Sequence, residues 1–174
     1  IKRITMKKIH ENLEIYEKLN FLDLNEYDTL SVKESLSNQY NSWAEKTSES
    51  YNFPIKLEHL LIKDLVKEFT KVLSGMGKKI KKIEELYLMS NNEDYCPINW
   101  HNHIQSADIV GVYYLSVPKS MKGGNISFKD GKDNLDMRPK ETSLLIFPNW
   151  LLHTTNYIEG KNYRISINME AMYE

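Results

Sequence analysis

From about Glu84 onward the chain is a succession of short apolar or alternating runs broken by Gly, Pro, Asn and Asp. That punctuation constrains the fold more than any other feature, because runs of this length are strands rather than helices. Strands are predicted near 84–90, 98–104, 109–117, 124–129, 134–138, 143–148, 151–157 and 163–171. Eight short strands in so little chain predict a sandwich or barrel, the two architectures that leave few strand edges unpaired.

Residues 1 to about 82 read differently. They are rich in Lys, Glu, Leu and Ser and hold a single proline, Pro54. Ser31–Glu45 is predicted helical, with Val32, Leu36, Tyr40 and Trp43 at helical spacing. Lys56–Val72 is predicted as a second helix, with a wide apolar stripe of Leu57, Leu60, Leu61, Leu65, Phe69 and Val72. Gly75 and Gly77 follow it as stop signals, and Met6–Leu19 is assigned as a further helix. Lys78, Lys79, Lys81 and Lys82 suit a solvated helix end better than a phosphate site. With no repeat, linker or clean boundary, the chain is expected to be one domain over 1–174. Residues 1–82 would be mainly helical support, laid on one face of a β core formed by 84–170.

Composition excludes several classes. Acidic and basic side chains nearly cancel, 24 against 23, so a general polyanion-binding surface and a nucleic-acid partner are not expected. The lone cysteine, Cys96, cannot make an internal disulfide, which fits a reducing, cytoplasmic setting. No apolar run approaches the roughly 20 residues of a membrane span, and the N-terminus lacks a signal-peptide core, so no membrane partner is expected. Abundant Lys, Asn and Ile with little Arg suggest an AT-rich genome, as in phages or low-GC bacteria. Oligomeric state is not encoded in any readable pattern.

Chemistry concentrates in the second half. Asn99-Trp100-His101-Asn102-His103 places two histidines at i and i+2, which share a face if the segment is a strand. His153, in Phe147-Pro148-Asn149-Trp150-Leu151-Leu152-His153, offers a third imidazole. Three neutral imidazoles with open positions suit Fe(II), Zn or Cu, so the ligand type does not name the metal. The bland alternative is three unrelated polar residues. Further on, Tyr163-Arg164-Ile165-Ser166-Ile167-Asn168 alternates, with Arg164 and Ser166 on one face. Arginine is scarce here, three against twenty lysines. An inward-pointing arginine beside a metal offers a planar fork for a carboxylate, whereas an outward one would only form a surface ion pair.

The order His-x-(Asp/His), GVYYL, GG-x-(Ile/Leu)-x-Phe, FP-x-W-x-x-His and R-x-S resembles the iron(II)/2-oxoglutarate-dependent oxygenases. It looks most like the bacterial and phage branch related to prolyl hydroxylases, over about residues 84–170. The resemblance implies an α+β chain with a mainly β core. That core is a double-stranded β-helix, a cupin-like jelly roll, with helices packed on its major sheet. It implies Fe(II), 2-oxoglutarate and O2 as reactants, with ascorbate as a reductant. His101 and His153 would be metal ligands, and Arg164, supported by Ser166, would bind the far carboxylate of 2-oxoglutarate. Tyr114 would direct its hydroxyl to the same carboxylate, with Val112 inward beside it and Tyr113 outward. Ile126 and Thr155 would line the cosubstrate pocket, while Phe147 and Trp150 would be core.

One position departs from the commonest pattern, which has a carboxylate where this chain has His103. His103 reads as a ligand; the alternatives are a supporting role behind the ligands, or Asp108 swinging in from the next loop. Asn91–Tyr95 and Lys129–Asp136 are candidate substrate-rim loops. The implied reaction is hydroxylation of an amino-acid side chain (peptidyl proline or another protein residue) or of a small molecule. Two rivals remain: an inactive jelly-roll binding module, and a zinc hydrolase built on the same three histidines. Against the hydrolase, no Glu base lies near the HxH in sequence, and it leaves Arg164-x-Ser166 unexplained.

Overall fold

A computed structural model describes residues 6–44, 52–54, 58–90, 99–159 and 164–174. The strands are β1 (Lys7–His10), β2 (Ile15–Lys18), β3 (Asn52–Pro54), β4 (Ile80–Ser90), β5 (Ile109–Ser116), β6 (Lys122–Gly123), β7 (Ile126–Asp130), β8 (Asp133–Met137), β9 (Leu144–Pro148), β10 (Leu152–Thr155), β11 (Ile158–Glu159) and β12 (Arg164–Tyr173). The helices are α1 (Thr29–Ala44) and α2 (Leu60–Gly75). A seven-stranded sheet runs β1-β2-β9-β5-β12-β4-β3, and it faces a smaller layer of β10-β7-β8 and β11-β6. The described ladders are antiparallel throughout. This is the double-stranded β-helix, with helices on the major sheet.

β12 organises the molecule. It pairs with β4 from Arg164 to Tyr173 and with β5 from Ile165 to Ala171. Because successive side chains on a strand point to opposite faces, its sequence divides cleanly. Ile165, Ile167, Met169 and Ala171 join the core under the helices, with Leu61, Leu65, Phe69 and Val72 of α2. Arg164, Ser166, Asn168 and Glu170 fall on the opposite face, toward the space between the sheets. That inner space is filled by Leu13, Ile15, Val110, Val112, Tyr114, Ile126, Phe128, Leu145, Phe147 and Leu151. Tyr113, alternate to Val112 and Tyr114, lies in the helix-side core instead.

α2 follows from its stripe. Leu61, Ile62, Leu65, Phe69, Val72 and Leu73 are buried on one side. Phe69 lies directly over β5 at Gly111, where a Cβ would come within 2.7 Å of the ring, so only glycine admits this approach. The helix starts four residues later than its periodicity suggests. His59 is extended and its Nδ1 accepts from the Leu61 amide at 3.1 Å, acting as the N-cap. Leu60 consequently lies outside the stripe and is exposed; Lys56 and Leu57 lie outside the described residues. At the other end Gly77 (φ +80) allows the amides of Gly77 and Lys78 to reach the carbonyls of Ser74 and Leu73, each at 3.0 Å, a Schellman stop. α1 buries Val32 and Leu36 and begins beside Asp28, whose carboxylate accepts from Ser31 N–H at 3.1 Å. The side chains of Tyr40 and Trp43 lie outside those described.

The first half departs from its expected helical character. Met6–Leu19 is not a helix but the β1–β2 hairpin, and β2 adds to the major sheet by pairing with β9. Its burial alternates along Ile15, Tyr16, Glu17 and Lys18, the period of a strand. Pairing with β9 overrides a local composition that suits helix. β3 likewise extends the sheet at its other edge. The predicted strand 98–104 is reduced, within the described residues, to one bridge between His101 and His153. Among the described residues no helix is long and apolar enough to cross a membrane.

Candidate metal centre and carboxylate pocket

Two segments carry the histidines. β10 presents His153 inward, paired with Phe128 of β7, and two residues on it presents Thr155, paired with Ile126. The segment bearing His101 is fastened alongside: His101 N–H donates to His153 O at 3.1 Å, and His153 N–H donates to His101 O at 3.0 Å. His103 N–H donates to Asn149 O at 2.8 Å, which fixes the second histidine against the turn before β10. Fold and backbone pairing thus bring together residues fifty positions apart. One donor nitrogen from each of His101, His103 and His153 lies within 4.8 Å of the others.

Each ring is oriented through its other nitrogen. His101 Nδ1 lies 2.9 Å from Asn99 O, and His153 Nδ1 lies 3.0 Å from Leu151 O. His103 Nδ1 lies 2.9 Å from a carboxylate oxygen of Glu170. All three acceptors take a proton from Nδ1, which in a neutral ring leaves Nε2 as a lone pair. The Nε2 atoms of His103 and His153 face each other at 3.3 Å. Two lone pairs so placed repel unless a proton or a metal ion lies between them. Imidazole nitrogens about 2.1 Å from one shared ion would stand about 3.0–3.4 Å apart at ordinary coordination angles. The residues present fit a metal ion.

Burial supports the same protonation state. His153 is 7% exposed, enclosed by Phe147 at a 4.8 Å ring separation and by Phe128 at 6.1 Å. Burial pushes its pKa down to about 3, against the opposing pull of the Leu151 carbonyl. His101 is also held below its ordinary value by burial. Neutral imidazoles are the form that binds metal. Asp108 is outside this cluster: its carboxylate accepts from Tyr173 N–H at 2.7 Å.

The opposite end of the inner row of β12 holds Arg164, 1% exposed. Its Nη1 donates to Gly124 O at 2.7 Å, and its guanidinium lies 5.7 Å from the centre of the Tyr114 ring. Ser166 pairs across the ladder with Tyr114. The Nε of Arg164 and the Oγ of Ser166 are buried with no hydrogen-bond partner, and no carboxylate pairs with Arg164 among the described residues. A buried cation left this way is costly unless an anion completes it. The Gly123-Gly124 pair explains how the carbonyl reaches the arginine. Both residues have positive φ, +68 and +69, and a Cβ on Gly123 would stand 2.1 Å from Tyr157 O. Ile126, two residues on, is buried in the inner core, as are Tyr114 and Phe147; Trp150 is partly buried against it.

A cavity of about 620 Å³ opens beside the histidines, lined by Trp100, His101, Asn102, His103, Ile104, Gln105, Ser106 and Leu152. Trp100 and Ile104 are exposed at its rim, and Lys129 sits 4.0 Å above the Trp100 ring. Of the two expected rim loops, Lys129–Asp136 therefore touches the mouth through Lys129; Asn91–Tyr95 lies outside the described residues. Sequence reasoning missed Glu170. Its signal was present, since Glu170 continues the i+2 series from Arg164 through Ser166 and Asn168. That carboxylate is 5% exposed and lies beyond the R-x-S motif.

The sequence matches no protein-family model and no curated protein. The structure, however, matches solved structures over nearly its whole length, and the class they define is the 2-oxoglutarate/Fe(II) oxygenase fold. A prolyl-4-hydroxylase from Pseudomonas putida aligns over 92% of both chains with a TM-score of 0.66 at 12% identity. A prolyl hydroxylase from Trichoplax adhaerens, solved with a hypoxia-inducible-factor peptide, aligns over 92% of this chain and 84% of that one, with a TM-score of 0.70 at 15% identity. The non-haem α-ketoglutarate-dependent carbocyclase SnoK of nogalamycin biosynthesis aligns over 91% and 79%, with a TM-score of 0.68 at 9% identity. At such identities the likeness establishes a shared fold.

Proposed function

We propose that this chain is an Fe(II)- and 2-oxoglutarate-dependent dioxygenase. It would hydroxylate an amino-acid side chain (peptidyl proline or another protein residue) or a small molecule, releasing succinate and CO2. The observation that carries the reading is the pairing of two otherwise unexplained features inside one β-helix. One is the cluster of three imidazoles; the other is the buried Arg164, which has no acid partner among the described residues and an unpartnered Nε. A metal alone accounts for the first and not the second. A dianion that binds both the metal and an arginine accounts for both.

His101, His103 and His153 would hold the iron, which when bound supplies the oxygen activation driven by oxidative decarboxylation of 2-oxoglutarate. The work of the chain is positioning and exclusion of water. Arg164 would take the far carboxylate through Nε and Nη, with Ser166 Oγ and Tyr114 beside it and Gly124 O holding the guanidinium in place. Ile126 and Thr155, paired across β7 and β10, would form the apolar wall of that pocket. Phe128 and Phe147 keep solvent from His153. The cavity rimmed by Trp100 and Ile104 would receive the group to be oxidised. A peptide is a suitable occupant, since the Trichoplax relative was solved with one.

The hydrolase alternative loses its missing base without gaining a usable one. Glu170 does stand beside the histidines, but it is bonded to His103 Nδ1, the side of that ring turned away from the other two. The test is aerobic incubation with Fe(II), 2-oxoglutarate and ascorbate. Slow succinate formation without added substrate is expected, abolished in His153→Ala. Fully iron-loaded protein that neither binds 2-oxoglutarate nor makes succinate would end the proposal.

A further inference from the structure

We infer that Glu170 is a positioning residue for the metal centre, supplying through His103 the negative charge that three neutral histidines lack. The inference rests on the reading of the three histidines as a metal site. It begins from an asymmetry. His101 and His153 each direct Nδ1 to a neutral backbone carbonyl two residues earlier in the chain, at 2.9 and 3.0 Å. Only His103 directs Nδ1 to a charged group, and that group comes from a distant strand.

The pair is enclosed and rigid. The side chains of His103 and Glu170 are 14% and 6% exposed, so solvent screens their interaction little. Glu170 is held from both sides within the sheet, opposite Glu84 on β4 and Val110 on β5. Its carboxylate oxygen stands 2.9 Å from His103 Nδ1, the distance of a charge-assisted hydrogen bond. An ionised carboxylate accepting the Nδ1 proton makes the imidazole a stronger donor at Nε2 and locks its tautomer. With a divalent ion the group formed by three imidazoles and Glu170 carries a net charge of about +1, as two imidazoles and a directly bound carboxylate would. The position that departs from the commonest pattern, His103, is also the one with a carboxylate behind it. In this chain the charge has moved outward by one ring.

The test measures Co(II) affinity by competition with a chromophoric chelator in four proteins: wild type, Glu170→Gln, His103→Ala and the double variant. Glu170→Gln is expected to bind Co(II) about 10–100-fold more weakly and to alter its d–d absorption. In the His103→Ala background the same change should cost nothing further, because its effect passes through that ring. Glu170→Gln binding within twofold of wild type overturns the inference, while wild type binding no Co(II) overturns the metal centre itself. An equal loss in both backgrounds would make the carboxylate a direct ligand and also overturn it. A measurement without variants covers the case in which Glu170→Gln does not fold. In ¹⁵N-histidine NMR of the Zn(II)-loaded wild type, the Nδ1 proton of His103 should resonate well downfield of those of His101 and His153. Three equivalent shifts would count against the role.

Discussion

Arg164→Met separates a ligand-binding arginine from a structural one by the sign of its effects. In the free protein Arg164 is 1% exposed, and among the described residues its guanidinium meets Gly124 O and the Tyr114 face, with Nε unpartnered. Methionine removes that desolvated charge and refills most of the volume. Exchanges of buried ionic groups for apolar ones are commonly neutral, or stabilising by about 1–4 kcal/mol. The metal-free variant should therefore unfold at the same temperature as wild type or higher. Binding should move the other way. Losing one partner of a buried, hydrogen-bonded charge pair costs about 2–5 kcal/mol, which is roughly 30-fold to several-thousand-fold in Kd for 2-oxoglutarate. The assay is thermal unfolding with Co(II), with and without 2-oxoglutarate, backed by calorimetric titration. Wild type at 100 times its Kd should gain about 2.7 kcal/mol, and the variant at the same concentration about 0.9 kcal/mol or less. Co(II) affinity should stay unchanged. A variant that still binds 2-oxoglutarate within threefold of wild type, or whose metal-free form loses more than about 3 kcal/mol, would refute the assignment.

Two further expectations concern stability. The metal-free protein should weaken in acid. His153, pushed down to about 3 by burial, and His101, also held low by burial, stay neutral in the folded chain while the unfolded chain protonates them below about 6.5. Stability is complete above that pH and falls as pH drops toward 3, by up to about 1.4 kcal/mol per unit for His153, with His101 acting in the same direction; Glu170, whose hydrogen bonds overcome the effect of burial, adds its own loss below about 4.5. Urea midpoints that stay flat from pH 7 to 4.5 would contradict this. Separately, Gly123→Ala should cost about 2–5 kcal/mol, combining left-handed strain with the 2.1 Å approach to Tyr157 O. Gly131→Ala, with φ +56 but open space, should cost only the strain, about 1–2 kcal/mol; equal losses at the two glycines would remove the clash from the account.

The sheet was legible because its strands carry their own period: β5, β7, β8, β9 and β12 lie within a residue or two of where alternation and turn residues place them. The β1–β2 hairpin was not, since its only strand signal is four residues of alternating burial set by pairing with β9. The segment around His101 failed in the other direction. Alternation suggests a strand, yet only one bridge forms, and the imidazoles meet through bonds to Asn149 and His153 rather than through a shared pleat. The histidines and Arg164 were visible as residue types with characteristic spacing. The i+2 series of β12 places Glu170 on the inner face, but its partner His103 lies 67 positions away, a contact that the series does not encode.

The division of β12 into two faces ties the fate of the fold to that of the site. A single-residue insertion or deletion near the start of that strand, if the later pairing were kept, would turn Arg164 toward the helices. A change of register further on would exchange Ile167 and Met169 for Asn168 and Glu170 in the helix-side core. Such a lesion would disrupt the packing and the chemistry together. By contrast, Trp100–Ser106 borders the cavity while contributing to the sheet only at His101. Change can therefore accumulate at the rim positions of that segment, Trp100, Asn102, Ile104 and Gln105, between the two histidines and beyond them, while β12 does not admit changes of length.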